Sequence, residues 1–242
     1  MAVGTYISKE DCPKGDTKLM ADYHEKGFDV RAATASMLYA AICTRPDALF
    51  AVKELCKIMS DPGVKHVSAC KRALRYFAKT KSKGLNYKAV AGDIFGTYTA
   101  DITLVSSADA SYADDVDSRK STQAFIGKLL GAAVSWFSQT QKCVTLSTTE
   151  AELYALSDSI KEILYIRSTM AFLDLPQRLP TVIFEDNAAV VAIVNNPGKH
   201  HSKLKHVATR VKMVQEHVME IQTCEVVKED SKDLEADLGT KA

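Results

Sequence analysis

The order of secondary-structure patterns after residue 100 constrains the fold of this chain more than any other feature. Three β-strand patterns follow one another with only short polar or glycine-containing joints, which predicts an antiparallel meander. They span 102–109, 121–130 and 132–139. Helix and strand patterns then alternate: two helical stretches within about 148–174, a strand at 181–186, a helix at 187–196, a helix at 205–219, a strand at 221–228 and a short helix at 232–242. The order predicts an α/β fold with one mixed sheet flanked by helices.

The pattern before about residue 95 is helical. Apolar residues recur at helical spacing in three segments, and a turn signal, Asp-Pro-Gly, separates the second from the third. The predicted helices cover 31–43, 46–60 and 64–80, and a short strand is possible at 85–89. We therefore divide the 242 residues into a mainly helical segment, 1–95, and an α/β domain, 96–242.

Composition excludes several classes of protein. The net charge is only +1, so affinity for nucleic acid or a membrane has to come from local patches. No apolar run approaches the roughly 20 residues of a membrane helix, and the first residues lack the pattern of a secretory signal. The six cysteines form no CxxC pair, which indicates free thiols in a reducing compartment. We expect no membrane partner and no secretion.

Four acidic residues fall where elements begin or end on one edge of the predicted sheet. Asp109 closes the first strand and Asp186 closes the strand at 181–186, whereas Glu152 and Asp237 lie on helices. Ligands of open α/β sheets collect at the carboxyl ends of strands. Carboxylates gathered there repel one another unless a cation neutralises them, and oxygen-only ligands suit Mg²⁺ or Mn²⁺. An isolated Asp at a strand end is more often a turn former or helix cap, so spacing alone leaves both interpretations open.

Two glutamates at the start of the helix near 148 have different predicted roles. Ser147 and Glu150 match a capping box, in which Glu150 reaches back to the Ser147 amide. At 100° per residue, Glu152 borders the apolar stripe of the helix, and Glu150 lies nearer the predicted solvent face. The pattern therefore favours Glu152 as the inward, metal-binding residue.

Two basic runs are candidates for binding a nucleic-acid backbone. On the helix at 64–80, Lys71, Arg75 and Lys79 recur every four residues and Arg72 lies beside them. The second run, 198–212, contains no acidic residue. Affinity for nucleic acid is largely electrostatic, although a solvated helix face gives the same pattern. Besides the four residues on the helix, the candidates are Lys199, Lys203 and Lys205.

Several motifs resemble those of a known family. The stretch from "VDSRKSTQAF" through "GAAVSWFSQTQ" to "LSTTEAELYALSDSIKE" is similar to the ribonuclease H region of copia-type retrotransposon Pol polyproteins. "FEDNAAVVAIVNNPGKHHSKLKHV" and "DLEADLGTK" resemble the downstream blocks of that region. "ASMLYAAICTRPDALFAV" and "KRALRYFAKTKSKGLNY" resemble the end of the reverse transcriptase region, so 1–95 would be a thumb- or connection-like segment.

The resemblance implies a fold, an activity and a set of ligands. The fold is ribonuclease H-like, with a five-stranded mixed sheet flanked by helices. The activity is cleavage of the RNA strand of RNA/DNA hybrids with two Mg²⁺ ions, for which Mn²⁺ can substitute. The family's metal-binding acids match Asp109, Glu152, Asp186 and Asp237. The implied partners are the hybrid and the reverse transcriptase portion of the same polyprotein, in the cytoplasm, in virus-like particles or in the nucleus.

The chain departs from the family pattern at positions beside the predicted acids. Ser111 replaces a second Asp, Tyr112 replaces a Trp, and Ala208 replaces the Asp of the "KHID" block. These departures keep two alternatives open. One is a catalytically silent relic or domesticated domain that binds nucleic acid, and the other is a protein-interaction scaffold built on the helices at 31–80.

Overall fold

The computed structural model describes residues 7–13, 27–87, 102–196 and 207–241. The α/β domain contains a five-stranded sheet in which every predicted strand after residue 100 is present. Its strands are β1 (Val105–Ser111), β2 (Thr122–Leu129), β3 (Ala132–Thr140), β4 (Thr181–Glu185) and β5 (Cys224–Lys228).

The sheet is mixed and has the order β3-β2-β1-β4-β5. The first three strands form the predicted antiparallel meander, and a β-bulge interrupts the pairing of β2 with β3 near Gly127. β4 runs parallel to β1 on one side and to β5 on the other. The carboxyl ends of β1 and β4 therefore lie at the same edge of the sheet. This architecture confirms the predicted fold class.

One long helix dominates the packing on the sheet. We number the helices of the whole chain from the N-terminus, and this one is α4, Thr148–Phe172. The prediction of two helical stretches here was wrong. Ser157 and Ser159, which favour a break, donate their hydroxyls to the carbonyls of Tyr154 and Ala155 on the same helix. The helix therefore continues, and its apolar stripe forms the main core with Phe125 and Ile183.

The later elements are shorter or tighter than predicted. The helix at 187–196 is α5 (Ala188–Val194), and the next is α6 (Ala208–Gln215), which continues as one π-helical turn to Glu220. The final segment is a 3₁₀ helix, Glu235–Gly239. Residues 85–87 form no strand, and 88–89 lie outside the described residues.

The helical segment has its own core and packs against the sheet. Its helices are α1 (Val30–Cys43), α2 (Leu49–Cys56) and α3 (Val64–Lys79), with a 3₁₀ turn at Pro46–Ala48. Trp136 of β3 packs against this core and donates its indole N–H to the carbonyl of Ala41 at 3.0 Å. The side chain is partly buried and joins the sheet to the core of the helices.

Contacts of two lysines fix α2 and the residue after it to the start of β2 and to the connection between β1 and β2. Lys53 Nζ donates to Thr122 Oγ1 at 2.7 Å, and Lys57 Nζ lies 2.8 Å from Asp115 Oδ2. Although burial lowers the pKa of Lys57, its hydrogen bonds to Asp115 and Glu54 raise that pKa overall. The connection that follows the strand of Asp109 is therefore held by the helical segment.

All six cysteines are free, as predicted. Within the described ranges, no helix combines the length and the apolar character needed to cross a membrane.

Candidate metal centre at the carboxyl ends of β1 and β4

Asp109 lies on the central strand, where small neighbours let a helix approach. Ala110 packs against Ala151 and Ala155 of α4, so the helix lies close to the strand. Side chains alternate along a strand, and Asp109 therefore points away from this contact. There the hydroxyl of Thr240 donates a hydrogen bond to Asp109 Oδ2. The aspartate is only 2% exposed.

Glu152 reaches the same edge from the first turns of α4. Ser147 is the N-cap of this helix and accepts a hydrogen bond from the Glu150 amide at 3.2 Å. The backbone N–H of Ala110 donates to the Glu152 carboxylate. The second carboxylate oxygen, Oε2, is buried and has no hydrogen-bond partner among the described residues. An unpaired buried oxygen of this kind favours a cation as its partner.

Glu150 occupies a different position from the one we predicted. We placed it nearer solvent, but it is only 3% exposed. The loop before α4 covers it, because Gln141 Nε2 donates to the carbonyl of Ala151 and Glu150 Oε2 accepts from the Leu146 amide at 2.7 Å. The glutamate thus braces the chain just before the N-cap of α4.

Asp186 follows β4 directly. Because β4 is parallel to β1, its carboxyl end brings Asp186 beside Asp109. Asn187 caps α5 and fixes the turn, and Ser231 Oγ donates to Asp186 Oδ2 at 2.6 Å. The side chain is half-buried.

Three of the four predicted acids converge. Asp109, Glu152 and Asp186 each offer one carboxylate oxygen, and these atoms lie within 4.8 Å of one another. Three convergent oxygen donors suit a hard divalent cation such as Mg²⁺ or Mn²⁺. The donor set, together with the unpaired Glu152 oxygen, therefore fits the predicted metal.

The pKa values of these acids show that their charged forms are unfavourable when no cation is bound. Burial, then the charges of Asp237 and Asp186, raise the pKa of Asp109 to about 6. Burial, then the charges of Glu185 and Asp109, raise the pKa of Glu152 to about 11. A bound divalent cation would offset this repulsion and favour the charged form of both groups.

Asp237 stands outside the group of three. Its Oδ1 accepts from Lys241 Nζ at 2.5 Å, so this acid already has a cationic partner. The pKa of Lys241 is raised, because the attraction of Asp237 and Asp109 outweighs the opposing effect of burial. Asp237 is still close enough that its charge raises the pKa of Asp109. Its role as a fourth metal-binding acid stays a prediction.

Sequence reasoning missed three residues of this centre. Thr240 and Lys241 contact Asp109 and Asp237, and the spacing of four residues between Asp237 and Lys241 was the available signal. Glu185 precedes Asp186 and is fully buried, with Oε1 accepting from the Asn187 amide at 3.1 Å. Burial raises its pKa well above the usual range. Only its adjacency to Asp186 marked it in the sequence.

The basic residues on α3 are exposed. None of them forms an ion pair within the described part of the chain, and Lys71 Nζ lies 5.0 Å from the ring centroid of Phe28. These residues are Lys71, Arg72, Arg75 and Lys79. The other candidates, Lys199, Lys203 and Lys205, lie outside the described residues.

Known proteins resemble this chain over most of its length. It is 32% identical over 239 residues to the retrovirus-related Pol polyprotein from transposon TNT 1-94 of Nicotiana tabacum, covering 97% of this chain and 16% of that polyprotein. It is 34% identical over 180 residues to the Pol polyprotein from transposon RE1 of Arabidopsis thaliana, covering 74% of this chain and 12% of that protein. The chain thus spans less than a fifth of these relatives. No protein-family model matches it.

A shorter relative and two solved structures also match. Secreted RxLR effector protein 161 of Plasmopara viticola is 38% identical over 141 residues, covering 58% of this chain and 93% of that protein. The N-terminal ribonuclease H domain of a Mycobacterium tuberculosis protein has a TM-score of 0.42 at 13% identity, covering 58% of this chain and 91% of that one. LC11-RNase H1 in complex with an RNA/DNA hybrid has a TM-score of 0.42 at 11% identity, covering 57% and 93%. By its sequence relatives, the chain belongs to the retrovirus-related Pol polyproteins of copia-type transposons, of which it matches only a part.

Proposed function

We propose that this chain hydrolyses the RNA strand of RNA/DNA hybrids with the help of divalent cations, as part of a retrotransposon polyprotein. The observation that carries the proposal is the convergence of Asp109, Glu152 and Asp186 at one edge of the sheet. Sequence relatives among Pol polyproteins support the substrate class.

Asp109, Glu152 and Asp186, with Asp237 as the fourth acid, would hold Mg²⁺ or Mn²⁺. When bound, two such ions activate a water and stabilise the leaving oxygen of a phosphodiester. The protein's own part is to fix the carboxylates before the substrate arrives. The Ala110 amide holds Glu152, and the hydroxyls of Thr240 and Ser231 orient the carboxylates of Asp109 and Asp186.

The exposed cations of α3 would bind the phosphate backbone of the hybrid. Lys71, Arg75 and Lys79 stand one helical turn apart, about 6 Å along the axis, and offer a line of positive charge without competing carboxylates. Lys199, Lys203 and Lys205, which follow Asp186 in the sequence, would extend this binding. Binding through these contacts weakens steeply with salt.

The test is cleavage of a labelled RNA/DNA hybrid at increasing Mg²⁺ concentration by the wild-type protein and by Asp109→Asn. We expect cleavage by the wild type alone, and a rise in the melting temperature with Mg²⁺ that is smaller in the variant. Equal cleavage by the two proteins would refute the assignment.

A second candidate is a catalytically silent protein that binds hybrids. Two features favour it. The ammonium of Lys241 donates a hydrogen bond to the carboxylate of Asp237, and Ser111 and Ala208 depart from the family pattern. Salt-sensitive hybrid binding without Mg²⁺-dependent cleavage would support it, and absence of binding would exclude it.

The division of the chain and its partners are part of the same proposal. Residues 1–95 would correspond to the thumb or connection end of the reverse transcriptase, and 96–242 to the ribonuclease H-like domain. The remaining reverse transcriptase would then be the natural partner, acting with this chain inside the cell. Capture of this chain by a separately expressed reverse transcriptase portion of such a polyprotein tests the pairing, and the third alternative of a scaffold predicts capture without hybrid binding.

A further inference from the structure

The helical segment contains an open cavity that the proposed hydrolysis does not use. It lies between α2 and α3 and has a volume of about 540 Å³. Ala51 and Val52 on one side, and Ala73 and Phe77 on the other, give it apolar walls. Cavities of this size with apolar walls and a few polar groups are typical ligand sites in proteins.

A tyrosine in a fixed orientation lines the cavity. Tyr76 donates its hydroxyl to Asp47 Oδ2 at 2.6 Å, and Asp47 also accepts from Arg45 Nη2 at 2.8 Å. The guanidinium of Arg45 lies 5.5 Å from the centroid of the Tyr76 ring. These contacts hold the ring while it remains 39% exposed. An aromatic ring that is held and exposed beside an apolar cavity offers a stacking surface for a planar ligand.

A positive charge lies at the cavity. Arg72 lines it, whereas Lys71, Arg75 and Lys79 are exposed elsewhere on the same helix. An apolar protein segment seated in the cavity would leave Arg72 unmatched. A ligand that combines a planar apolar group with a chain of negative charge satisfies both features, and a nucleic-acid strand has this composition.

The cavity lies beside the candidate metal centre. Its wall includes Asp47 and Ala48, which belong to the 3₁₀ turn Pro46–Ala48. This turn packs directly against the 3₁₀ helix Glu235–Gly239, which carries Asp237. A nucleic-acid strand that runs from the carboxylates across this 3₁₀ helix therefore reaches the cavity next.

We propose that the cavity takes one unpaired nucleobase from a single-stranded tail of the bound substrate, with Tyr76 as the stacking surface and Arg72 on a flanking phosphate. This inference rests on the proposed function, because it assumes a nucleic-acid substrate at the neighbouring centre. The apolar walls make no base-specific hydrogen bond, so the site accepts any base. It predicts a preference for hybrids that end in a single-stranded tail.

The test compares binding of fluorescent hybrids to the wild-type protein in EDTA, so that no cleavage occurs. The probes are a blunt hybrid, the same hybrid with a three-nucleotide 5′ or 3′ DNA tail, and the tailed hybrids with abasic tail residues. We expect one of the two tails to tighten binding roughly tenfold, the contribution of one stacked base. The abasic version of that tail keeps its phosphates and should lose most of this gain.

A variant that fills the cavity provides a second measurement. Ala73→Phe should abolish the preference for the tail, whereas Ala78→Phe, at an exposed position on the same helix outside the cavity, should retain it. Equal binding of intact and abasic tails by the wild type would overturn the inference, and this result does not depend on how the variant folds. A tail preference that survives in folded Ala73→Phe would overturn it as well.

Failure of this inference is distinguishable from failure of the proposed function. Cleavage of the blunt hybrid without any tail preference would support the proposed hydrolysis and contradict the proposal that the cavity binds a base. A tail preference without cleavage would keep the cavity and favour the silent nucleic-acid-binding protein instead.

Discussion

At the residue scale, two buried glutamates on α4 have separable duties. Glu150 braces the start of the helix through the Leu146 amide, whereas Glu152 has one unpaired buried oxygen and contributes a carboxylate oxygen to the group of three acids. We expect Glu150→Ala to lower the free energy of unfolding by about 0.5–2 kcal/mol, the range for a lost cap, and to retain cleavage per folded molecule. Glu152→Gln should abolish cleavage and stabilise the metal-free protein, because a neutral amide replaces a carboxyl that burial disfavours.

Urea unfolding in EDTA and hybrid cleavage at saturating Mg²⁺ measure the two effects separately. Glu162→Gln, at a glutamate further along α4 that accepts a hydrogen bond from Ser135, is the control for loss of one charge from the helix. If the two effects were exchanged between Glu150 and Glu152, the assignment of both residues would be wrong.

The pKa values of the centre predict how stability depends on pH. In the unfolded chain Asp109 and Glu152 lose their protons near 3.8 and 4.5, whereas in the folded protein they keep them to about 6 and about 11. The metal-free folded state therefore binds more protons above pH 4, and its stability falls as pH rises. The fall is at most about 1.4 kcal/mol per pH unit for each group.

We expect the free energy of unfolding in EDTA to decrease from pH 5 to pH 8 relative to the double variant Asp109→Asn/Glu152→Gln. Comparison with the double variant cancels the titration of the other groups. Excess Mg²⁺ should flatten the difference, since the cation favours the deprotonated carboxylates. A difference that is already flat in EDTA would mean that solvent screens the carboxylates from one another.

At the element scale, the sequence predicted what short-range patterns can specify. The strands β1 to β3 and the strand ending at Asp186 were visible as apolar or β-branched runs bounded by short polar or glycine-containing joints. The continuity of α4 was not visible, because it depends on hydroxyls of Ser157 and Ser159 that bond back to their own helix. The 3₁₀ form of Glu235–Gly239 depends on contacts with residues more than a hundred positions away, which no local pattern contains.

Gly239 shows how tightly that 3₁₀ helix is placed. A Cβ at Gly239 would lie 2.5 Å from Cβ of Ala124, and the Gly239 carbonyl accepts a hydrogen bond from Ser138 Oγ at 2.5 Å. Gly239→Ala should therefore push the helix from β2, cost about 1–3 kcal/mol and displace Thr240 from Asp109. We expect a lower melting temperature and slower cleavage.

Gly84→Ala is the matched control, because a Cβ at Gly84 meets no atom within 4 Å. Thermal unfolding and hybrid cleavage measure both variants. If Gly239→Ala behaved like Gly84→Ala, the close approach to β2 would be irrelevant to the centre.

At the scale of the whole molecule, the helical segment and the sheet share an interface. The sequence pattern predicted a boundary near residue 95, yet Trp136 of the sheet packs against the core of the helices, and Asp115 pairs with Lys57, the residue that follows α2. Sequence patterns cannot reveal such an interface, because the spacing of apolar residues in one segment does not show which other segment it packs against. Asp115 is buried and the side chain of Lys57 is only 17% exposed, so removing one of them leaves a largely buried charge without this partner.

This interface predicts that the helical segment and the sheet unfold together. The chain contains a single tryptophan, Trp136, which therefore reports on the interface, while far-ultraviolet circular dichroism reports on all helices and strands. We expect the two signals to follow one urea transition, as in cooperative unfolding. Lys57→Met should move both midpoints down together by the loss of a buried pair, and Lys65→Met, whose ammonium is largely exposed, should leave them within error. A tryptophan transition at lower urea than the dichroism transition would show that the segment separates first, and the ion pairs would then not join the two parts into one cooperative unit.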